Sequence, residues 1–487
     1  MKSNLSRRQF LSQASAAGAM ATLGACSTAS QAKGRSQRPP NIVFICTDDQ
    51  GPWALGYSGN PDAHTPNLDK LFGEGAYLPN SYVVTPVCSP SRASTMCSRY
   101  GTEVGITDWI NHRVPSETNL GLDPGYTTWP ELLRQAGYHT GLVGKWHLGN
   151  APQFHPAKAG FQYFAGFLEG GTTPKDPVLE AEGQVGTRTG YTTDLLTAYA
   201  IDFLRNAPGD VPFLLNVHYR APHAPYTPVP DADMAPYTGR KMTIPNPDFP
   251  DLDVERCETL LREYLASVTG VDRNVGRILE TLDRKGLADN TIVIFTSDNG
   301  YNVGHHGMRH KGNGRRLTLA TRNLQGDDPK ALRSNMFDTS LGVPTGIRWP
   351  GAVKPGATIT ETVSNLDWFP SLLSMAGLET PKSLKVRGRD FTPLLRGSSI
   401  DWDNDLYGEY SQHHYAQPHM RMYRTPEWKL VRFVGEPDRD ELYHLEVDPG
   451  ESKNLAGDPG AQSARAWLER KIRERMEAVN DPLLRQA

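Results

Sequence analysis

From residue 41 onward, short apolar runs alternate with longer stretches whose apolar positions recur at helical spacing. The runs at 41–46, 139–144, 211–218 and 291–296 are largely apolar, as expected of strands covered on both faces. A shorter β-prone piece lies at 82–85. Helices are predicted over 66–73 with Thr65 as cap, over 128–136 with a stop at Gly137, and over 192–206, 256–285 and 365–376. Such alternation predicts an α/β domain with a large mixed, mostly parallel sheet flanked by helices. Beyond a Gly-bounded stretch at 388–397 the pattern changes: 406–410, 428–433 and 441–445 read as short antiparallel strands and 460–479 as a closing helix. The expected domains are therefore 39–397 and a smaller C-terminal α+β subdomain at 398–487, preceded by a signal at 1–26 and a linker at 27–38.

Bulk properties narrow this picture only a little. A chain of 487 residues is too long for one small core. Its net charge of -3 gives no reason to expect nucleic acid as a partner. The 46 glycines and 38 prolines fall between periodic segments and point to long functional loops. The cysteines at 26, 46, 88, 97 and 257 do not form the pattern of a disulfide framework. Cys46 lies in a predicted buried strand and reads as a free thiol.

The first residues read as an address. Ser6-Arg7-Arg8-Gln9-Phe10-Leu11 resembles a twin-arginine export signal, and Leu23-Gly24-Ala25-Cys26 resembles a lipobox. Export by a twin-arginine translocase to the periplasm, or to the outer membrane through a lipid anchor on Cys26, is the expectation for a bacterial protein. Cleavage at an ordinary small-residue site, giving a free periplasmic protein, is the alternative.

Polar clusters follow the ends of successive predicted strands: Asp48/Asp49, Cys88/Arg92, Lys145/His147, His223 and Asp298/Asn299. In an open α/β sheet that edge is where ligands bind. Each cluster also has a structural reading: Asp48-Asp49 as a turn, Asp298-Asn299-Gly300 as a type I′ turn, either histidine as a packing residue. Coincidence of all of them, each at a strand end, is improbable. Asp48, Asp49, Asp298 and Asn299 are hard oxygen donors, a set that suits Ca²⁺, or less well Mg²⁺, far better than zinc. In Cys88-Ser89-Pro90-Ser91-Arg92, a helix start and an arginine fork aim a thiol at a tetrahedral anion. Lys145, Lys311 and Arg92 would neutralise that anion, and His147 and His223 are candidates for proton transfer.

Cys-x-Pro-Ser-Arg resembles the signature of the type I, formylglycine-dependent sulfatases of the alkaline-phosphatase-like superfamily. The resemblance extends to Asn41-Ile42-Val43-Phe44-Ile45-Cys46-Thr47-Asp48-Asp49, Gly144-Lys145-Trp146-His147-Leu148-Gly149, Pro222-His223-Ala224-Pro225, Ser297-Asp298-Asn299-Gly300, and Gly304-His305-His306-Gly307 followed by Lys311. Leu442-Tyr443-His444-Leu445 with Asn454-Leu455 resembles the family's C-terminal sheet. It implies sulfate-ester hydrolysis, with Cys88 oxidised to formylglycine by a formylglycine-generating or anaerobic sulfatase-maturating enzyme before export. It further implies Asp48, Asp49, Asp298, Asn299 and the modified residue 88 as metal ligands. Arg92, Lys145 and Lys311 then bind sulfate, His223 protonates the leaving group, and His147 takes a proton from residue 88.

One departure is that Ser98-Arg99 stands where the family usually has Thr-Gly, in the neighbourhood the maturation enzyme reads. Export favours a sulfated carbohydrate as substrate. Two alternatives stay open on the residues: a phosphate or phosphonate monoester hydrolase, or an inactive sulfoglycan-binding lipoprotein. The loop 309–333, with Arg315, Arg316, Arg322, Lys330 and Arg333, reads either as a basic rim for a polyanion or as a solvated loop. His413, His414, Arg421 and Arg424 are candidates for the pocket mouth.

Overall fold

Asn41–Asp48 is the strand on which the rest is arranged, buried at every position. In the computed structural model, which describes residues 38–324, 328–414 and 416–485, it pairs in parallel with Phe213–Pro222 on one side and Thr291–Ser297 on the other. His139–Lys145 and Tyr163–Phe167 extend the parallel set, and Gly346–Arg348 runs antiparallel beside Thr291–Ser297. With shorter edge pieces these make a ten-stranded mixed sheet among the described residues. The signal and linker at 1–37, including Cys26, lie outside the described residues.

Period-two alternation sends Ile42, Phe44 and Cys46 to one face and Val43 and Ile45 to the other. The first group packs against Met96, Trp129, Trp368 and Leu372. The second packs against Leu196, Ala200, Val271, Val275 and Ile278, from the helices Thr192–Asn206 and Val254–Arg284. Both faces are dry, which is why these strands carry no polar alternation. Polar residues gather only where the strands end.

Several expectations change in detail. Pro66–Gly73 is helical, but Thr65 does not cap it: its hydroxyl donates to Asp69 and accepts from the Gly56 N–H. Thr128 does cap Trp129–Gln135. Of 82–85 only Tyr82 is strand, as the end of Ser81–Tyr82, paired with Val363–Ser364. Neither Asp298 nor Asn299 has a positive φ, so the type I′ turn is excluded. Cys46, Cys88, Cys97 and Cys257 are all free and buried.

The C-terminal sheet has four antiparallel strands in chain order: Leu406–Ser411, His419–Arg424, Trp428–Phe433 and Glu441–His444. Leu468, Ile472, Met476 and Val479 of Gln462–Val479 cover it, in a core that also takes in Val84, Val87, Cys88 and Leu341. This sheet therefore packs beneath the Cys88 segment, and Arg38–Ala487 forms one compact unit. The sequence pattern missed His419–Arg424 because arginines occupy buried positions there. Arg421 forms a two-pronged pair with Asp481 at 2.5 and 3.1 Å, and Arg424 bonds Asp338 at 2.9 Å. Neither arginine is at a pocket mouth.

The Arg421–Asp481 pair is fully buried, so breaking it leaves an uncompensated charge. Asp481→Ala is expected to destabilise the protein by about 3–5 kcal/mol, read as a fall in the urea midpoint. An unchanged midpoint would show that the pair is dispensable.

Candidate active site

The helix Cys88–Cys97 begins at the cysteine itself, with Val87 in an extended conformation before it. Its first-turn N–H groups lack intrahelical acceptors, and Pro90 is tolerated there because it lacks the donor. The helix ends at Ser98, whose φ of +53° is the left-handed conformation that a glycine suits. Here the serine hydroxyl donates to the Leu366 carbonyl and accepts from the Gly388 N–H, which ties the helix end in place. Ser91 Oγ donates to the Asp298 carbonyl, fastening the Cys88 helix to the end of Thr291–Ser297.

Around Cys88 the sheet's C-terminal edge presents three buried cation–carboxylate pairs. Lys145 Nζ donates to Asp48 at 2.6 Å with both side chains fully buried. Lys311 Nζ pairs with Asp49, and Arg92 pairs with Asp298 at 2.8 and 2.9 Å. Asn299 Nδ2 donates to Asp49 at 2.8 Å, and the Asp49 N–H donates to Asp298 at 3.2 Å. Asp48, Asp49, Arg92, Lys145, Asp298, Asn299 and Lys311 thus form one connected cluster. Cys88 lies within electrostatic reach of Lys311, Lys145, Asp48 and Asp298.

Burial sets the ionisation of these groups as much as pairing does. It pushes the Cys88 thiol up, against Lys311 and Lys145, so the unmodified thiol is a poor nucleophile at neutral pH. Burial would raise Asp48 as well, but Lys145, His223 and Lys311 together hold it below the ordinary carboxylate range. For Lys311 burial works downward and is outweighed by Asp49, with Cys88, Asp48 and Asp298, so the ammonium is firmly charged. Arg92 is likewise held charged against burial, chiefly by Asp298.

The two histidines His147 and His223 have their tautomers set by carbonyls, which can only accept. His147 Nε2 donates to the Ile110 carbonyl at 3.0 Å, leaving Nδ1 a buried acceptor with no partner. Burial and then Lys145 keep the ring well below its ordinary pKa, hence neutral. Its position depends on Gly144, whose φ is +113° and whose missing Cβ would lie 1.9 Å from the His218 carbonyl oxygen. His223 is 30 % exposed; Nδ1 donates to the Ala224 carbonyl at 2.6 Å, and Nε2 lies 3.9 Å from Asp49. Burial lowers its pKa while Asp48 and Asp49 oppose.

Three further residues act on the cluster. Arg220 donates to the Thr172 carbonyl at 2.8 Å and to the Pro225 carbonyl at 2.6 Å, holding the His223 loop. His218, neutral with a pKa pushed down to about 3 chiefly by burial, sits 3.2 Å from the Lys145 carbonyl and 3.3 Å from Arg92. Tyr264 donates to the Asp49 carbonyl at 2.8 Å. Arg220 and His218 were findable as polar residues inside an apolar strand. Tyr264, on the long helix, left no signal.

The donors suit a divalent cation. Asp48 Oδ1 and Asn299 Oδ1 are buried without partners, and potential ligand atoms of Asp48, Asp49 and His223 lie within 4.8 Å of one another. Asp298 is turned to Arg92 and is not in that tight group. The basic loop is largely committed elsewhere: Arg322 pairs with Asp253 and Arg333 with Glu441. His413 and His414 do lie near the site, because their N–H groups donate to Asp108 at 2.8 and 3.3 Å, two residues before Ile110.

Comparison with known proteins agrees with this arrangement. Residues 40–378 match the family described as Sulfatase, and residues 332–478 match the C-terminal region of N-sulphoglucosamine sulphohydrolase. The N-acetylglucosamine-6-O-sulfatase of Bacteroides thetaiotaomicron is 28 % identical over 522 residues, spanning 90 % of this chain and 86 % of its own. The N-acetylgalactosamine-6-sulfatase of Mus musculus is 32 % identical over 391 residues, 75 % of this chain and 68 % of its own. A solved enzyme in complex with its substrate D-glucosamine-2-N,6-O-disulfate superposes with a TM-score of 0.75 at 26 % identity, covering 91 % of this chain and 99 % of that one. Sulfatases generally use a formylglycine and a divalent metal. On a match across 40–378 and relatives of this likeness, the chain belongs to the sulfatase family and is a sulfuric ester hydrolase.

Proposed function

We propose that this sulfatase removes sulfate from a sulfated carbohydrate, using a formylglycine formed from Cys88 and a Ca²⁺ ion held by Asp48, Asp49, Asp298, Asn299 and the modified residue 88. The observation that carries the reading is the convergence of Lys145, Lys311 and Arg92 on the buried start of the Cys88 helix. Relatives named for N-acetylglucosamine, N-acetylgalactosamine and ulvan sulfate support a sugar ester. The export-like start at 1–26 supports a site outside the cytoplasm, reached by twin-arginine translocation with a lipid anchor on Cys26, after a maturation enzyme has acted on Cys88. No helix of the described residues is long and apolar enough to cross a membrane.

When present, the formylglycine supplies a hydrated aldehyde as nucleophile and the cation supplies charge stabilisation at that oxygen and at the sulfate. The chain's own residues do the rest. Lys145, Lys311 and Arg92 lie where the sulfonyl oxygens gain charge, and their burial makes each worth more than in water. His223, with Nδ1–H fixed on the Ala224 carbonyl, delivers a proton from Nε2 to the departing sugar oxygen when the ring is the imidazolium, the form that Asp48 and Asp49 favour. His147 presents Nδ1 as a lone pair in a dry pocket, able to accept a proton on the residue 88 side.

Mass spectrometry of the peptide containing residue 88 should show the aldehyde, in proportion to specific activity across preparations. Activity from fully thiol-bearing protein would overturn the scheme. Lys145→Ala removes a sulfate ligand and strands Asp48, and should lower kcat by roughly 10²–10³-fold; a merely doubled KM would deny Lys145 its role. Chelation should abolish sulfate release, with Ca²⁺ restoring more than Mg²⁺. Full activity after exhaustive chelation, checked by elemental analysis, would rule the metal out.

A further inference from the structure

Besides His147, His223 and His218, a further imidazole, that of His310, lies within electrostatic reach of the cluster. His310 immediately precedes Lys311, and the residue is partly exposed and senses the charges of His223 and Lys311. Neighbours along an extended strand point to opposite faces. Here a φ of +75° at His310 breaks that alternation, and both His310 and Lys311 come within electrostatic reach of His223. This is a left-handed conformation that histidine adopts more readily than most residues.

The ring is held in place. Its Nδ1 meets the Tyr301 hydroxyl at 2.9 Å, and that hydroxyl meets Tyr226 at 2.7 Å, three residues after His223 in the same loop. The His310 carbonyl accepts from Asn302 at 2.8 Å. Tyr301 stacks on Tyr264, 5.3 Å between ring centres and nearly parallel. The two histidines are therefore parts of one rigid frame, linked by a pair of tyrosines. Among the described residues, no hydrogen bond engages His310 Nε2. Burial, with Arg309 and Arg315 nearby, keeps the ring neutral, so it offers one hydrogen-bonding atom and no charge. Three cations already serve the sulfate; a neutral imidazole on the His223 side suits the alcohol.

We propose that His310 is a specificity residue for the leaving group: its Nε2 hydrogen-bonds a sugar hydroxyl next to the ester oxygen that His223 protonates. This rests on the carbohydrate reading above and deepens it. Small aryl sulfates have no such hydroxyl and forgo the contact.

The test compares wild type and His310→Ala on 4-nitrophenyl sulfate and on whichever of N-acetylglucosamine 6-sulfate, N-acetylgalactosamine 6-sulfate and glucosamine-2-N,6-O-disulfate wild type cleaves fastest. The ratio of kcat/KM for sugar over aryl ester should fall roughly 10-fold, mainly through KM, with His310→Asn intermediate. One monodeoxy analogue of that sugar should lose the same factor with wild type and nothing further with His310→Ala. Equal losses on both esters, or additive losses with every deoxy analogue, would overturn the proposal. If His310→Ala does not fold, Tyr301→Phe keeps the ring stack, frees Nδ1 and should lower the same ratio; no change in it would count against the contact. A wild type that cleaves the aryl ester and none of the sugars would instead overturn the carbohydrate reading.

Discussion

Pairing of buried charge at one edge of the sheet is the constraint on which this protein depends. Asp48, Asp49 and Asp298 sit at 3 % exposure or less, where an unpaired charge is costly. Lys145, Lys311 and Arg92 provide the compensation, and each comes from a different part of the chain. Closing the sheet and assembling the site are consequently one event. The cations that pair with these acids are the groups proposed to bind sulfate, so they are held in place before any ligand arrives.

This pairing also explains why the cluster tolerates little displacement. A buried pair contributes modestly to stability when intact, while losing one member is severe. The cluster is held by backbone ties on every side: Ser91 to the Asp298 carbonyl, Tyr264 to that of Asp49, His218 and Arg92 to that of Lys145. Fixed dipoles of this kind keep charges in place without help from mobile water, the condition under which they stabilise a charge that develops during reaction.

Much of this was legible in the chain. The parallel strands declared themselves because both their faces are dry, and Asp48, Lys145 and Asp298 stand out as charges at the ends of apolar runs. Lys311 carried no such mark, since it lies on a short hairpin and not on the main sheet; only family resemblance singled it out. His310 escaped notice because a lone histidine beside a lysine has no periodicity. His419–Arg424 was hidden by its arginines, whose partners Asp481 and Asp338 are 60 and 86 positions away. Periodicity reads burial of apolar groups, and it is blind wherever a distant acid neutralises a buried base.

Asp108 joins the two sheets. Its carboxylate accepts from the Tyr410 hydroxyl and from the N–H groups of His413 and His414, while Ile110, two residues on, anchors the His147 ring and donates its N–H to Ser89. The wall of the candidate site is thus a splice between the 107–112 segment and the C-terminal sheet. Recombining this enzyme with a relative would have to move 107–112 and 406–414 as a matched set. Swapping the tail alone would leave His147, the proposed proton acceptor, leaning on a mismatched hinge.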